Sequence, residues 1–380
     1  MNHHPVEDDN DFNCNIIEDN IPVEMKGCLG NHVPIENFED IYEFLPEFLK
    51  ENIEKLHFKK PTPIQKHSLK FSLSGIDLCC CSQTGSGKTL AYLIPLIASL
   101  CKPKDYIRDC RKQRKDDMRE EKAGNDKSII TPTKNPISKM NTVSPPEVLS
   151  MYKIIEEKGR FITRINLDKV RGVMPFGLIV LPTRELTQQI HQQIRKLIGG
   201  TNIRVVSVHG GDGTLAKQLS ELTYGCDILI GTAGRLEHLF KSGIVSIEEI
   251  RFIVIDEVDR MVDTMGFGDY ITRLIAALKP KEDRQILCFT ATITEQIKQL
   301  ILDFLDDHIL LSIGGLEDLP RNVKQNLLLV SSSFDHKMSL LLETIKLITD
   351  GKTLIFVRRK KHCSNVKIVL NDNDILAGIN

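Results

Sequence analysis

The chain has 380 residues, enough for two or three domains, and its 41% apolar and 27% charged content is that of a globular protein. Lys plus Arg is 50 against 51 for Asp plus Glu, a net charge of -1, so overall charge predicts neither nucleic-acid nor membrane binding, and an anionic partner has to be met by a local patch. No apolar run is long enough to cross a bilayer, and the polar, acidic start MNHHPVEDDNDFN is wrong for a secretory signal.

The first three dozen residues read as disordered or lightly tethered. A helical pattern begins at Phe38, in FEDIYEFLPEFLKENIEKLHF. Five short, almost unbroken apolar runs follow: DLCCC (77–81), GLIVL (177–181), CDILI (226–230), FIVI (252–255) and QILCF (285–289). Amphipathic helical segments such as TRELTQQIHQQIRKLI lie between them. Strands apolar on both faces and alternating with helices predict an α/β domain, a parallel sheet with helices on both faces. The first run carries Cys79, Cys80 and Cys81. Adjacent strand residues point to opposite faces, so these three cannot converge on one metal; with no CxxC pair among the ten cysteines, they read as small reduced core residues of an intracellular protein.

Residues 102–172 break the alternation with the mixed-charge run KPKDYIRDCRKQRKDDMREEK and a stretch rich in Pro, Ser and Asn. They read as a surface insertion, mostly disordered. The acids within the run favour a solvated loop over a basic nucleic-acid arm. The alternation resets in a linker at 313–325. A second α/β domain starts at 326, with about two strands, NLLLV and KTLIFV, before the sequence stops at 380.

Each apolar run of the first domain is followed by small polar groups and charges, at the strand end where open α/β sheets bind ligands. After the first comes SQTGSGKT, Ser82 to Thr89. Gly85, Gly87, Lys88 and Thr89 follow a strand and open a helix, so backbone N–H groups would bind phosphate oxygens, Lys88 would reach the β and γ phosphates and Thr89 would hold Mg²⁺. The strict phosphate-loop pattern fails at its first glycine, which is Ser82, and an ordinary glycine turn capping a helix would look much the same. After the fourth run, Asp256 and Glu257 place adjacent carboxylates at a strand end, suited to a metal ligand and a water-activating base. Acids stabilising the next helix's positive end are the bland alternative.

These motifs, in this order, resemble the DEAD-box ATP-dependent RNA helicases, with the acidic motif reading Asp256-Glu257-Val258-Asp259 and Ser82 where that family usually has Ala. The resemblance implies a RecA-like first domain over 38–312, carrying the insertion, and the start of a second RecA-like domain over 326–380. It implies ATP and Mg²⁺ as ligands and RNA as partner. The loop from Ser82 through Gln83, Thr84, Gly85, Ser86, Gly87 and Lys88 to Thr89 would bind the phosphates, Lys88, Asp256 and Glu257 would be catalytic, and Thr89 and Asp256 would hold the metal. FKKPTPIQ resembles the adenine-reading motif: Gln65 hydrogen-bonds the base edge, Phe58 frames the site and Phe38 stacks on the base. PTREL (Pro182, Thr183, Arg184, Glu185), the pair Gly210 and Gly211, and TAGRL (Thr232, Gly234, Arg235) resemble the RNA-backbone motifs. There Thr183 and Thr232 can cap helices, the arginines add charge-assisted contacts, and recognition of phosphate and sugar carries little sequence specificity. Thr290 and Thr292 of TAT stand where the family couples hydrolysis to domain closure.

The stretch IEDNIPVEMKG and the linker look most like the Vasa and PL-ten-type branch. The second RecA-like domain reads as truncated: neither the His-Arg-x-Gly-Arg nor the Arg-Gly-x-Asp motif of that family occurs between Ile313 and Asn380. The chain alone is therefore expected to be poor at ATP hydrolysis. A truncated paralogue that binds nucleotide and RNA without turnover is the second reading, and a DNA-directed helicase of a related superfamily is a third, against which PTPIQ and the DEAD-type spelling argue. A cytoplasmic location is expected, a nuclear one being the alternative.

Overall fold

A computed structural model describes residues 12–18, 21–27, 33–58, 60–122, 152–157, 160–165, 172–211, 215–314, 326–348 and 351–379. The chain divides into two compact units, residues 1–318 and 319–380.

The first unit runs β1 (Phe12–Glu18), β2 (Ile21–Gly27), a 3-10 turn (Phe38–Phe44), α1 (Glu47–Lys55), α2 (Pro63–Leu73), β3 (Leu78–Ser82), α3 (Lys88–Leu100) and α4 (Tyr106–Lys122). It continues with β4 (Tyr152–Glu157), β5 (Arg160–Ile165), β6 (Gly177–Leu181), α5 (Arg184–Leu197), β7 (Val205–Val208), α6 (Leu215–Thr223), β8 (Ile228–Thr232) and α7 (Ala233–Lys241). It closes with β9 (Phe252–Ile255), α8 (Gly268–Ala277), β10 (Gln285–Thr290), α9 (Glu295–Phe304) and β11 (Ile309–Ile313). Nine strands form one sheet in the order β1-β2-β11-β3-β10-β9-β6-β8-β7, parallel from β11 to β7, with β2 antiparallel to β11 and β1 antiparallel to β2. β4 and β5 make a separate hairpin.

This is the mixed α/β, RecA-like arrangement with a parallel central sheet, and each of the five apolar runs lies on a strand. The sheet is covered on both faces. Ile179, Leu181, Phe252 and Val254 pack into one core layer, while Leu178, Val180, Ile253 and Ile255 pack into the other. The cysteine run divides the same way: Cys80 faces the first layer and Cys79 the second, beside Cys288 across the β3–β10 pairing. All three are buried free thiols whose pKa burial pushes up, which suits inert core residues.

Two expectations about this unit are corrected. Part of the start of the chain, expected to be disordered or lightly tethered, is a sheet strand: β2 pairs with β11, as Lys26 with Leu310 and Val23 with Ile313, and buries Val23 and Met25 against the first layer, a partnership too remote in sequence for local pattern to show. The insertion does not open as a solvated loop. Its first part is α4, whose Tyr106, Ile107 and Cys110 form a small apolar cluster. Arg111 reaches Asp77 at 2.7 Å and Asp306 at 3.1 Å, and Arg108 grips Asp283 with two nitrogens at 2.6 and 2.7 Å. The charges that suggested solvation thus have aspartates waiting at the N-terminal ends of β3, β10 and β11. Residues 123–151 of the insertion and 315–325 of the linker lie outside the described residues.

In the second unit, helices α10 (Phe334–Lys346) and α11 (Lys360–Asn371) form, but NLLLV and the run from Lys352 to Val357 form no strand. Leu327 and Leu329 are almost fully exposed, as is Phe356. A strand needs a neighbour for its ladder, and no described residue supplies one.

Candidate functional site

The parallel strands deliver their C-terminal ends to one edge. β3 runs into the glycine turn, which α3 closes. Gly85 and Gly87 hold φ of 80° and 93°, the left-handed region that favours glycine. At Gly87 a side chain is also excluded by space, since a Cβ would lie 2.6 Å from both Gln65 Nε2 and Thr62 Oγ1. Gln65 is the reason the turn keeps this shape. Its Nε2 donates to the Gly87 carbonyl at 2.8 Å, while its Oε1 accepts from the Thr62 backbone N–H at 3.0 Å as α2 begins. Ser82 is buried and its hydroxyl bonds that of Ser86 at 2.8 Å, closing the loop across its base. The hydroxyl is thus used, which is what Ser can do here and Ala cannot.

Lys88 is buried at the first position of α3, its Nζ donating to the carbonyls of Ser82 (2.8 Å) and Thr290 (3.4 Å). Asp256, at the end of β9, is buried, and loss of hydration pushes its pKa up to about 6 although the Lys88 charge pulls the other way. A carboxylate in that condition is poised for a cation. Its Oδ1 accepts the Glu257 N–H at 2.9 Å. Glu257 stands at φ 52°, a left-handed conformation unusual for a side chain of this type and costing roughly 1–3 kcal/mol, of the kind that clusters at working sites. Asp259 accepts from the backbone of Ala291 and Thr292, and Thr290 Oγ1 donates to the Thr292 carbonyl at 2.7 Å. The acidic turn and the TAT turn are therefore one hydrogen-bonded unit.

A cleft of about 640 Å³ brings together Phe58, Gln65, Thr84, Gly85, Gly87, Lys88, Thr89, Asp256 and Glu257. Its far wall is α5, with Gln189 and Gln193. Phe38 does not line it. Its ring is buried, 6.4 Å from that of Phe58, so it backs the half-exposed Phe58 instead of facing a ligand. Ser82, Gln83 and Ser86 shape the loop without lining the cleft.

The same sheet edge continues over β6, β8 and β7. Thr183 caps α5, its Oγ1 accepting from Leu186 N–H at 3.3 Å. Thr232 holds the corresponding position before α7, but its side chain accepts no cap hydrogen bond, contrary to the capping role expected of it. Arg184 is exposed and pairs with exposed Glu185 at 2.7 Å, and Pro182 ends the strand beneath them. Arg235, in the first turn of α7, is half-buried with no carboxylate partner among the described residues, and burial lowers its pKa. An incompletely hydrated guanidinium without a counter-charge favours an incoming anion. Gly210 has open space around it, Gly211 has φ 140°, and Gly234 stands in the first turn of α7 beside Arg235.

Two features of the site had no sequence signal strong enough to find them. Tyr92, whose hydroxyl reaches Asp256, sits in the apolar run LAYLIPLIASL and reads as core. The α5 glutamines read as the solvated face of an amphipathic helix.

A strand–glycine turn–helix unit opposite paired acids, on a RecA-like sheet, defines a nucleotide-handling domain of the helicase type. Residues 62–300 match the DEAD/DEAH box helicase family, and the chain belongs to that family. Two solved structures share the fold. One is the RNA helicase Prp28 from Chaetomium thermophilum bound to ADP, at TM-score 0.52 and 22% identity over 93% of this chain and 67% of that one. The other is the yeast DEAD-box splicing factor Prp28, at TM-score 0.53 and 24% identity over 92% of this chain and 66% of that one. The chain thus spans about two thirds of the length of these structures, and at such identities the likeness speaks for the fold.

Proposed function

We propose that this chain is an ATP-dependent RNA helicase of the DEAD-box type, most like the Vasa and PL-ten-type branch. It binds ATP with Mg²⁺ in the cleft and RNA through its backbone at the β6–β8–β7 edge. The observation that carries this is the convergence of Lys88, Thr89, Asp256 and Glu257 in one cleft beside a turn built for close backbone approach. Family membership supports it, as does ADP in one structure of the same fold. A cytoplasmic or nuclear location goes with the reading.

The donor set fits the metal. Among the described residues no cluster of three His, Cys, Asp or Glu could cage an ion alone. Mg²⁺ characteristically takes one or two protein oxygens together with substrate phosphates, which Thr89 and Asp256 can complement. When bound, it would neutralise charge on the β and γ phosphate oxygens. Lys88 would exchange its two carbonyls for phosphate oxygens, Glu257 would orient the attacking water, and Gln65 would hold Gly87 in place. Gln65 spends one amide N–H and one lone pair on the protein, which leaves one of each for the edge of adenine.

Hydrolysis by this sequence alone is expected to be slow. An arginine reaching the transferred phosphate is worth roughly 10³–10⁵ in turnover, and the His-Arg-x-Gly-Arg motif that by resemblance would supply one does not occur between Ile313 and Asn380. The test is ATP binding by calorimetry together with an ATPase assay with and without RNA, using Glu257→Gln as the blank. Binding with little RNA-stimulated turnover is the expected result. Absence of ATP binding overturns the nucleotide reading, and brisk RNA-stimulated turnover overturns the expectation of a slow enzyme.

A further inference from the structure

Tyr92 lies one helical turn beyond Thr89 on α3, on the same face. Its ring is fully buried and meets Phe289 of β10 edge-on, ring centroids 5.2 Å apart at 62°. Its hydroxyl donates to Asp256 Oδ2 at 3.2 Å. One buried hydroxyl therefore ties α3 to the carboxylate at the end of β9.

The connection constrains the carboxylate. Asp256 Oδ1 is held by the Glu257 N–H at 2.9 Å and Oδ2 by Tyr92, so rotation of the carboxylate would break two hydrogen bonds at once. Each oxygen keeps a second lone pair for another partner. A plain apolar residue could fill the volume beside Phe289, but it could not do this.

We propose that Tyr92 is a positioning residue for the metal-bound nucleotide, fixing the orientation of the Asp256 carboxylate that lines the cleft with Thr89. This rests on the Mg²⁺–nucleotide reading of the cleft. Groups that orient metal ligands from behind commonly change metal affinity by about 10-fold to 100-fold when removed.

The experiment uses the full chain with Tyr92→Phe, which keeps the ring and its packing on Phe289 and removes only the hydroxyl. ADP is titrated calorimetrically across a series of Mg²⁺ concentrations and in EDTA, and binding of Mn²⁺ to the ADP complex is followed by the loss of its free-ion spin resonance signal. The expected result is ADP affinity in EDTA within about twofold of the parent, with the Mg²⁺ concentration for half of the metal-dependent tightening raised about 10-fold. Mn²⁺ retention should fall in parallel. Phe289→Leu, which disturbs the ring contact and leaves the hydroxyl, should lower the melting temperature without moving the metal midpoint. An unchanged midpoint in Tyr92→Phe overturns the proposal. So does an equal loss of ADP affinity with and without metal, or a midpoint that Phe289→Leu moves as far. A parent chain that binds ADP indifferently to Mg²⁺, or no better than Lys88→Ala, instead removes the nucleotide reading on which the proposal stands.

Discussion

The carboxylate of Asp259 accepts hydrogen bonds on one oxygen from the backbone N–H of Thr292 at 3.2 Å and from its hydroxyl at 3.1 Å. The turn after β9 is thereby fastened to the turn after β10, 33 residues on. Asp259→Ala removes these bonds and the one from Ala291. At about 1 kcal/mol net per bond, and more where a charge accepts, a loss of roughly 2–3 kcal/mol of unfolding free energy is expected. Urea denaturation measures it, and ADP affinity should change far less than stability.

Gly87→Ala should abolish tight nucleotide binding. The left-handed backbone and the 2.6 Å approach of Gln65 and Thr62 leave no room for a methyl group, so the turn must open. Gly85→Ala, where nothing lies within 4 Å, faces only the backbone strain and should keep more affinity. Calorimetry with ADP on both variants checks the order.

Gln65→Ala should weaken ATP and GTP together, because the grip on the Gly87 carbonyl serves any nucleotide, and should also narrow the preference for ATP. Competition between the two nucleotides separates the effects. Equal affinities before and after the change would remove Gln65 from the site.

Arg111→Ala should cost about 3–5 kcal/mol, the range for leaving one partner of a buried pair alone, since Asp77 is 2% exposed and would keep only its two backbone donors. The position is at the strand ends opposite the cleft, so nucleotide affinity of the folded variant should hold. Chemical denaturation and ADP titration on one preparation test both halves.

Arg235→Ala should weaken RNA binding similarly for all sequences and lower the slope of log affinity against log salt by about 0.7, one phosphate on a single strand. Arg184→Ala should do less, because its guanidinium already pairs with Glu185. Filter binding across a salt series distinguishes the two.

What the sequence made legible is what depends on neighbours in the chain. The five apolar runs, the glycine turn and the acid pair needed only local pattern. β2 and α4 escaped because their partners are remote. IPVEMKG has no reason to be a strand until β11 lies beside it, and the arginines of DYIRDCRKQRK look solvated until Asp77, Asp283 and Asp306 arrive from strands 3, 10 and 11. The reverse error fell on NLLLV and KTLIFV, apolar runs without a ladder partner among the described residues. In the site, residue types announced Lys88 and Asp256 directly. Tyr92 and the second task of Gln65 are matters of where one hydroxyl and one amide point, which no spacing encodes.

The two carbonyls that hold Lys88 make nucleotide capture a substitution, not an addition. Before a phosphate arrives, the ammonium already links the end of β3 to the end of β10 through Ser82 and Thr290. The measured affinity is then the difference between what phosphate offers and what those oxygens relinquish, and the lysine starts from a fixed place in the cleft with little rotamer freedom left to lose. If Lys88 turns to phosphate as proposed, its leaving Thr290 would also unpin the end of the strand that leads into TAT. On the proposed binding mode, nucleotide would therefore be felt at the neighbouring turn as the loss of this bond.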